Sequence, residues 1–249
     1  MDAITTVTDI IQFVLQMDKI ECDCSNGSDM VIPVYDISPD EFLEFADNAL
    51  ALETKEGIVN AVSNLKRALD CQMDMFFESI NLKSIFDKKN LKFEKKTQFL
   101  ADIGLMQNRT INKLNSMRNK MEHEYKIPDI SDLHTYYELV WSVVKIAELY
   151  LELFCANGEI QLSLGMKNKE YFLVLEYNAA GRAFQFEIID WTEKNNRKQK
   201  KIIAGLKNPG EEQDFIRAFH LYLLTIQYFD CGNVTVYKEK MERLKYKSM

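Results

Sequence analysis

The spacing of apolar residues predicts that the chain is helical from about residue 38 to residue 157. Over this range apolar positions recur every three, four or seven residues, which is the repeat of a helix with one buried face. The predicted helices lie at 38–52, 54–80, 108–125 and 131–156. The second is the longest and has the most regular repeat, so it is expected to be the central helix of a bundle.

Ser38 marks the start of the first predicted helix. Its hydroxyl can cap the helix, Pro39 suits the first helical position, and Glu41 completes a capping box. The residues that this helix is expected to bury are Phe42, Phe45, Ala46 and Ala49.

After Gly158 the repeat becomes that of a strand. Apolar and polar residues alternate at 160–164 and at 184–188, and 170–177 is a mostly apolar run. The alternation predicts a three-stranded antiparallel meander. A basic loop at 194–201, a further helix, and a short strand at Val234 and Val236 are predicted to follow it.

The first 37 residues are expected to be less regular. Residues 3–17 hold a continuous apolar run that suits either a short helix or a strand. Residues 19–37 are rich in turn-forming residues and in aspartate, which predicts a solvated acidic loop.

Together these patterns predict a mainly α fold: a helical bundle followed by a smaller α+β unit with an antiparallel β-meander. The predicted division is an N-terminal helix and acidic loop at 1–37, the bundle at 38–157, and the α+β unit at 158–249. The 249 residues are 47% hydrophobic, which is typical of a globular protein.

The charge of the chain argues against a general nucleic-acid coat protein. Its net charge is −7 and its pI is about 5.2, whereas such proteins are basic overall. Five scattered cysteines without a CxxC pair indicate reduced thiols in a cytoplasmic protein. No apolar run is long enough to span a membrane, and no secretion leader is predicted. No motif for a metal or a cofactor is present, so neither is expected.

The third predicted helix carries the residues best suited to chemistry. Its apolar stripe leaves Asn112, Asn119 and His123 on the opposite face, and Arg118 is expected to project between stripe and face. Asn115 is also expected on the outer side of this helix. A guanidinium, an amide and a titratable base on one flank can hold a phosphodiester and move a proton beside it.

The run Arg118-Asn119-x-x-x-His123 resembles the signature of the HEPN domain, an arginine and a polar residue followed a few residues later by a histidine. His123-Glu124-Tyr125 is similar to the His-x-Tyr form of HEPN toxins that pair with nucleotidyltransferase antitoxins. The resemblance covers roughly residues 38–156. It implies an all-helical and usually dimeric domain, and many such domains are metal-independent ribonucleases of toxin–antitoxin and anti-phage defence systems.

The resemblance implies a metal-independent endoribonuclease, a toxin or defence effector that cleaves RNA at a composite dimer site. Arg118 would bind the scissile phosphate, and His123 would exchange a proton with the ribose 2′-hydroxyl or the leaving 5′-oxygen. Asn119 would orient the imidazole or the phosphate, and the products would carry 2′,3′-cyclic phosphates. By the same resemblance, Tyr125 is a candidate for modification by an antitoxin nucleotidyltransferase.

The expected partners are RNA (tRNA or mRNA), a second copy of the chain, and an antitoxin or sensor protein. Basic segments beside aromatic residues can follow an RNA backbone, although solvated surface segments have the same composition. The candidate backbone contacts are Lys88, Lys89, Lys92, Arg197 and Lys198.

Other interpretations of the same residues stay open. Arg118 and Glu122 are four residues apart and suit an ordinary surface ion pair, and His123 suits an idle surface histidine. The chain is alternatively a non-catalytic HEPN-like module for dimerisation or nucleotide binding, with a C-terminal sensor or partner-binding unit. A third interpretation makes its acidic surface an inhibitor or a nucleic-acid mimic.

Overall fold

A computed structural model describes residues 3–88, 93–192, 197–206 and 212–246, which belong to two compact units. Val31–Glu152 is a helical unit. Met1–Met30 and Leu153–Met249 together form a second unit, which contains the sheet. The predicted combination of a helical part with an antiparallel β-meander is present.

Helices and strands are largely separated along the chain, since all but one of the strands follow the helical unit. The helices are α1 (Val7–Leu15), α2 (Pro39–Leu50), α3 (Lys55–Ser79), α4 (Lys83–Lys88), α5 (Phe93–Asp102), α6 (Asn108–Glu124), α7 (Ile130–Ala156), α8 (Glu212–Cys231) and α9 (Val234–Tyr246). The strands are β1 (Lys19–Asn26), β2 (Glu159–Met166), β3 (Lys169–Asn178), β4 (Ala183–Asp190) and β5 (Lys198–Gly205).

The capping box predicted for α2 is confirmed. The Ser38 hydroxyl accepts the backbone N–H of Glu41 at 3.2 Å, and the Glu41 carboxylate accepts the backbone N–H of Ser38 at 2.8 Å. The predicted burial of Phe45 is wrong, because its side chain is 43% exposed. The buried face of α2 is centred on Leu43 and Leu50, so Phe45 lies on its border with solvent.

The core of the helical unit is apolar and comes from α2, α3, α6 and α7. Its buried members include Leu43, Val62, Leu65, Leu69, Ile111, Leu114, Leu133, Val140 and Val144. A second cluster joins α3 to α4 and α5, where the Phe77 ring lies 4.3 Å from the Phe86 ring and 5.7 Å from the Phe99 ring, centroid to centroid. Helix α6 packs on α3 and α5 and contributes Ile111, Leu114 and Met121 to the core of the helical unit.

The sheet of the second unit has five antiparallel strands in the order β1-β2-β3-β4-β5. Inward positions are in register across it: Leu173 of β3 lies opposite Leu162 of β2 and Ile188 of β4, and all three are buried. Helices cover this inner face, as shown by ring contacts of Phe13 with Tyr171 at 5.1 Å and of Phe184 with Phe215 at 5.2 Å.

Two predicted loops are wrong in part because they contain the edge strands of this sheet. The predicted acidic loop at 19–37 begins with β1, and the predicted basic loop at 194–201 ends in β5. Residues 1–37 are therefore not a separate segment, because β1 pairs with β2. Both strands bury few residues, Ile20 in β1 and Ile202 and Ala204 in β5, and most of their other positions are polar. Charged side chains such as lysine are common on edge strands because they discourage pairing with another chain.

The uncertain element at residues 3–17 is a helix, α1, capped by Thr6. The short strand predicted at Val234 and Val236 is wrong, because both residues begin α9. The Asn233 side chain accepts the backbone N–H of Val236 at 3.1 Å and so starts the helix. Tyr237, Met241 and Leu244 then recur at helical spacing and are buried.

Across the residues described, the structure has no helix with both the length and the apolar character needed to cross a membrane.

Candidate functional site

Helix α6 carries the Arg–His motif and has a well-defined end. It runs from Asn108 to Glu124, and Tyr125 follows in the left-handed conformation with φ of 57°. The backbone N–H groups of Tyr125 and Lys126 both point to the carbonyl of Lys120, a common way to close a helix C-terminus. The histidine of the motif therefore lies in the last turn of a fixed helix.

Arg118 lies closer to the packed side of α6 than predicted. It is seven residues after the buried Ile111 and four after the buried Leu114, and 36% of its side chain is exposed. Its Nη2 atom is 2.8 Å from Oε1 of Glu122, so the surface pair that the sequence allowed is present. A phosphate that binds Arg118 must replace or share this carboxylate.

Asn119 and His123 are exposed, as predicted. Among the residues described, neither side chain has a hydrogen-bond or ion-pair partner. His123 lies five positions after Arg118, which corresponds to a rotation of about 140° around the helix axis. One copy of α6 therefore presents the two side chains in different directions.

The outer asparagines are not all exposed. Asn115 is buried, and its Nδ2 donates to Oε1 of Glu94 on α5 at 2.9 Å, so its predicted exposure is wrong. The reason is that α5 packs against this part of α6, which a helical wheel of α6 alone does not reveal. Asn112 is half-buried, and its Oδ1 is buried without a hydrogen-bond partner in the structure.

Lys66 is a buried cation close to Arg118. It lies on α3, its ammonium bonds the Asp70 carboxylate at 2.5 Å, and it stands 3.8 Å from the centroid of the Phe93 ring. Burial is the main cause that lowers its pKa; Asp70 opposes this, and the charges of Arg118 and Lys96 lower the pKa further. Three helices thus place cations in one region, although each cation has a carboxylate partner: Asp70 for Lys66, Asp74 for Lys96 and Glu122 for Arg118.

Lys66 was not among the residues predicted from the sequence, although its position in α3 is unusual for a lysine. The lysine falls among the buried positions 62, 65, 69 and 73 of α3, where a charged residue is unexpected. A lysine within an apolar stripe is most often held by a nearby carboxylate, and Asp70 four residues later supplies it.

The candidate RNA-backbone contacts are placed in different parts of the structure. Lys89 and Lys92 lie outside the described residues, as does the side chain of Lys88, which ends α4. Arg197 lies over Trp191 with its Cζ 3.4 Å from the ring centroid, and Lys198 is in register with Asp190 across β4 and β5. Both belong to the sheet unit and stay a prediction as RNA contacts.

Potential metal ligands are scattered within the described ranges. No group of three or more histidine, cysteine, aspartate or glutamate side chains there is arranged to hold a metal ion.

Glu122 is expected to compete with RNA for Arg118, so replacing it by glutamine should tighten RNA binding. A partly exposed ion pair of this kind is worth about 0.2–1 kcal/mol, which corresponds to a gain in affinity of about 1.4- to fivefold. The measurement is the Kd of a 2′-O-methyl RNA, which cannot be cleaved, by fluorescence anisotropy at one fixed salt concentration.

Glu138→Gln is the matched control, because it removes the same charge from an exposed position on α7. An equal gain in both variants would mean that overall charge alone is responsible and that Glu122 does not restrain Arg118.

Comparison of this chain with models of known protein families, with curated proteins and with solved structures found no match.

Proposed function

We propose that the protein is a metal-independent, HEPN-like endoribonuclease whose active site is completed by a second copy. The observation that supports the proposal is the arrangement on α6: Asn119 and His123 are exposed and have no side-chain partner within the described ranges, and the partly exposed Arg118 lies on the same helix. Because Arg118 and His123 point in different directions, the arginine of one copy and the histidine of the other are the pair that meets at one phosphate.

The reaction is an attack of the ribose 2′-oxygen on the adjacent phosphorus, which expels the 5′-oxygen of the next nucleotide. His123 accepts the 2′-hydroxyl proton or supplies a proton to the leaving 5′-oxygen, a role that histidine fills more often than any other side chain. The guanidinium of Arg118 stabilises the negative charge that builds on the phosphate oxygens. Asn119, one turn before His123, orients the imidazole or the phosphate. The products are a 2′,3′-cyclic phosphate and a free 5′-hydroxyl.

A second face of α7 supports the presence of a second copy. Leu139, Ile146 and Leu149 are spaced by seven and three residues, so they share one side of the helix, and all three are exposed. They lie apart from the core face of the same helix, which is formed by Val140 and Val144. An apolar stripe at this spacing suits packing against another helix, and the composite site calls for a second α7.

Mixing two inactive variants tests the composite site. If the arginine and the histidine come from different copies, an equal mixture of Arg118→Ala and His123→Ala proteins should recover about a quarter of the wild-type rate. Half of the exchanged dimers then contain both variants, and one of the two sites in each such dimer is intact. The measurement is cleavage of total RNA and tRNA before and after subunit exchange.

The control adds Ile146→Glu to both inactive proteins, which places a charge on the exposed stripe of α7. This change should abolish the recovery and shift the mass in solution to that of one chain. Recovery that is absent in the first mixture, while each variant is folded and dimeric, contradicts the shared site.

The setting that we infer is a cytoplasmic toxin or anti-phage defence effector that acts on tRNA or mRNA. Tyr125 fits a control point in such a system, because its side chain is 88% exposed at the end of α6. Its phenol is thus accessible to an antitoxin nucleotidyltransferase, and it stands two residues from His123, where a bulky modification would block the site.

The second candidate is a non-catalytic HEPN-like module for dimerisation or nucleotide binding, with the sheet unit as a sensor or partner-binding part. The Arg118–Glu122 ion pair favours it, because the guanidinium is already neutralised within its own helix. The two candidates differ in whether RNA is cut when it is bound.

A further inference from the structure

A cleft beside α6 has the chemistry of a nucleotide-binding site. It lies within the helical unit, between α6 and the turn that leads into α7, and has a volume of about 320 Å³. This is within the size range of small-molecule sites. Its lining includes Lys113, Met117, Lys120 and Tyr136, together with the carboxylates of Asp129 and Asp132 on the side of α7.

The lysines make one wall of the cleft an anion site. Lys113 and Lys120 are exposed, and neither has a carboxylate partner among the residues described. Lys126 pairs with Glu124 at 2.7 Å and keeps most of its side chain in solvent. Lys113 and Lys120 are two turns apart on one side of α6, about 10.5 Å along the axis, so a phosphate between them can be reached by both extended side chains.

The interior of the cleft suits a base. Met117 and Tyr136 are both half-buried, so each presents part of an apolar surface to the cleft. Stacking on an aromatic ring stabilises a bound base whatever its identity, so Tyr136 is the residue on which we expect the base to stack. Asp132, exposed in the first turn of α7, adds a hydrogen-bond acceptor at the rim.

The cleft borders the motif. Lys120 is three residues before His123, and side chains at this spacing are neighbours on a helix surface, about 5–6 Å apart at Cβ. An RNA strand whose scissile phosphate lies at His123 therefore brings an adjacent nucleotide to the cleft.

We infer that this cleft binds one nucleotide of an RNA strand, with its phosphate at Lys113 and Lys120 and its base on Tyr136. The inference rests on the proposed function, since it places that nucleotide next to the bond to be cut. Asp132 accepts a hydrogen bond from an exocyclic amino group, so the cleft prefers cytosine to uracil, which carries a carbonyl at that position.

The test measures binding without cleavage. The probes are fluorescein-labelled 2′-O-methyl hexanucleotides, oligo(C) and oligo(U), whose blocked 2′-oxygens cannot attack the phosphate. Anisotropy titrations compare the wild-type protein with Lys113→Gln/Lys120→Gln. The matched control is Lys55→Gln/Lys169→Gln, which removes the same charge from exposed lysines outside the cleft.

Lys113→Gln/Lys120→Gln is expected to raise the Kd for both oligonucleotides about tenfold, and the control pair to raise it less than about twofold. Wild type should prefer oligo(C) about threefold, and Asp132→Ala should remove the preference while leaving oligo(U) binding unchanged. Equal losses in the two lysine variants would overturn the site, because binding then depends only on total charge. A wild-type protein without preference, or a preference that survives Asp132→Ala, would overturn the role of Asp132.

These outcomes are separable from the fate of the proposed function. If loss of the cleft lysines weakens binding but natural RNA is never cut, the proposed ribonuclease activity is wrong and the proposed nucleotide site is supported. If RNA is cut at the wild-type rate by Lys113→Gln/Lys120→Gln and binding is unchanged, the nucleotide site fails and the ribonuclease stands.

Discussion

Replacing His123 by alanine is expected to lower the rate of RNA cleavage by about 10²- to 10⁴-fold, the usual contribution of a general acid or base. The loss should appear without unfolding, because the side chain is exposed and has no partner within the described residues. Surface changes of this kind alter stability by about 0.5 kcal/mol or less. The measurement pairs a cleavage time course with thermal unfolding of the same samples.

His134→Ala is the matched control for this prediction. His134 is also an exposed histidine of the helical unit, but it lies near the start of α7 and outside the motif. It should cleave RNA at the wild-type rate. Equal rates for both variants and the wild type would show that His123 transfers no proton in the reaction.

Phe184→Ala is expected to destabilise the protein by about 3–5 kcal/mol, the range for removing a fully buried aromatic ring. Phe184 is 0% exposed, and its ring lies within 4.7–5.4 Å of the rings of Tyr177, Phe215, Phe219 and Tyr222, centroid to centroid. Such a loss is a large part of the 5–15 kcal/mol that typically holds a domain together. Urea denaturation followed by circular dichroism gives the change.

Ile203→Ala is the control in the same unit. Ile203 is on the exposed side of β5 and keeps 62% of its surface in solvent, so its loss should cost less than about 1 kcal/mol. If Phe184→Ala cost no more than this, the aromatic cluster would not be the core of the sheet unit.

The helices with a full buried stripe were predictable, because burial on one side leaves a helical repeat in the sequence. Ser38 and Thr54 cap α2 and α3 where the sequence placed their starts. The edge strands β1 and β5 were not predictable in the same way. Each depends on a neighbouring strand for its hydrogen bonds, and a solvated edge needs few apolar residues, so little of either strand is visible in the local pattern.

The residues of the candidate site could be predicted from the sequence, but their burial and their neighbours in the fold could be predicted only in part. Exposure of Asn119 and His123 follows from the repeat of α6 itself. The burial of Asn115 and the position of Lys66 beside Arg118 depend on α5 and α3, which pack on α6 from distant parts of the sequence. The cleft beside Lys120 depends on the turn into α7, since its far side comes from residues after Tyr125.

RNA cleavage in the presence of a chelator is the most direct test of the proposed metal-independent ribonuclease. Purified protein is incubated with total RNA and tRNA in EDTA beside an Arg118→Ala/His123→Ala variant, and the ends of the products are mapped. Cleavage is expected to survive EDTA, to be lost in the double variant, and to leave 2′,3′-cyclic phosphates with 5′-hydroxyls. Cleavage that persists in the double variant, or that stops with the chelator, would contradict this proposal.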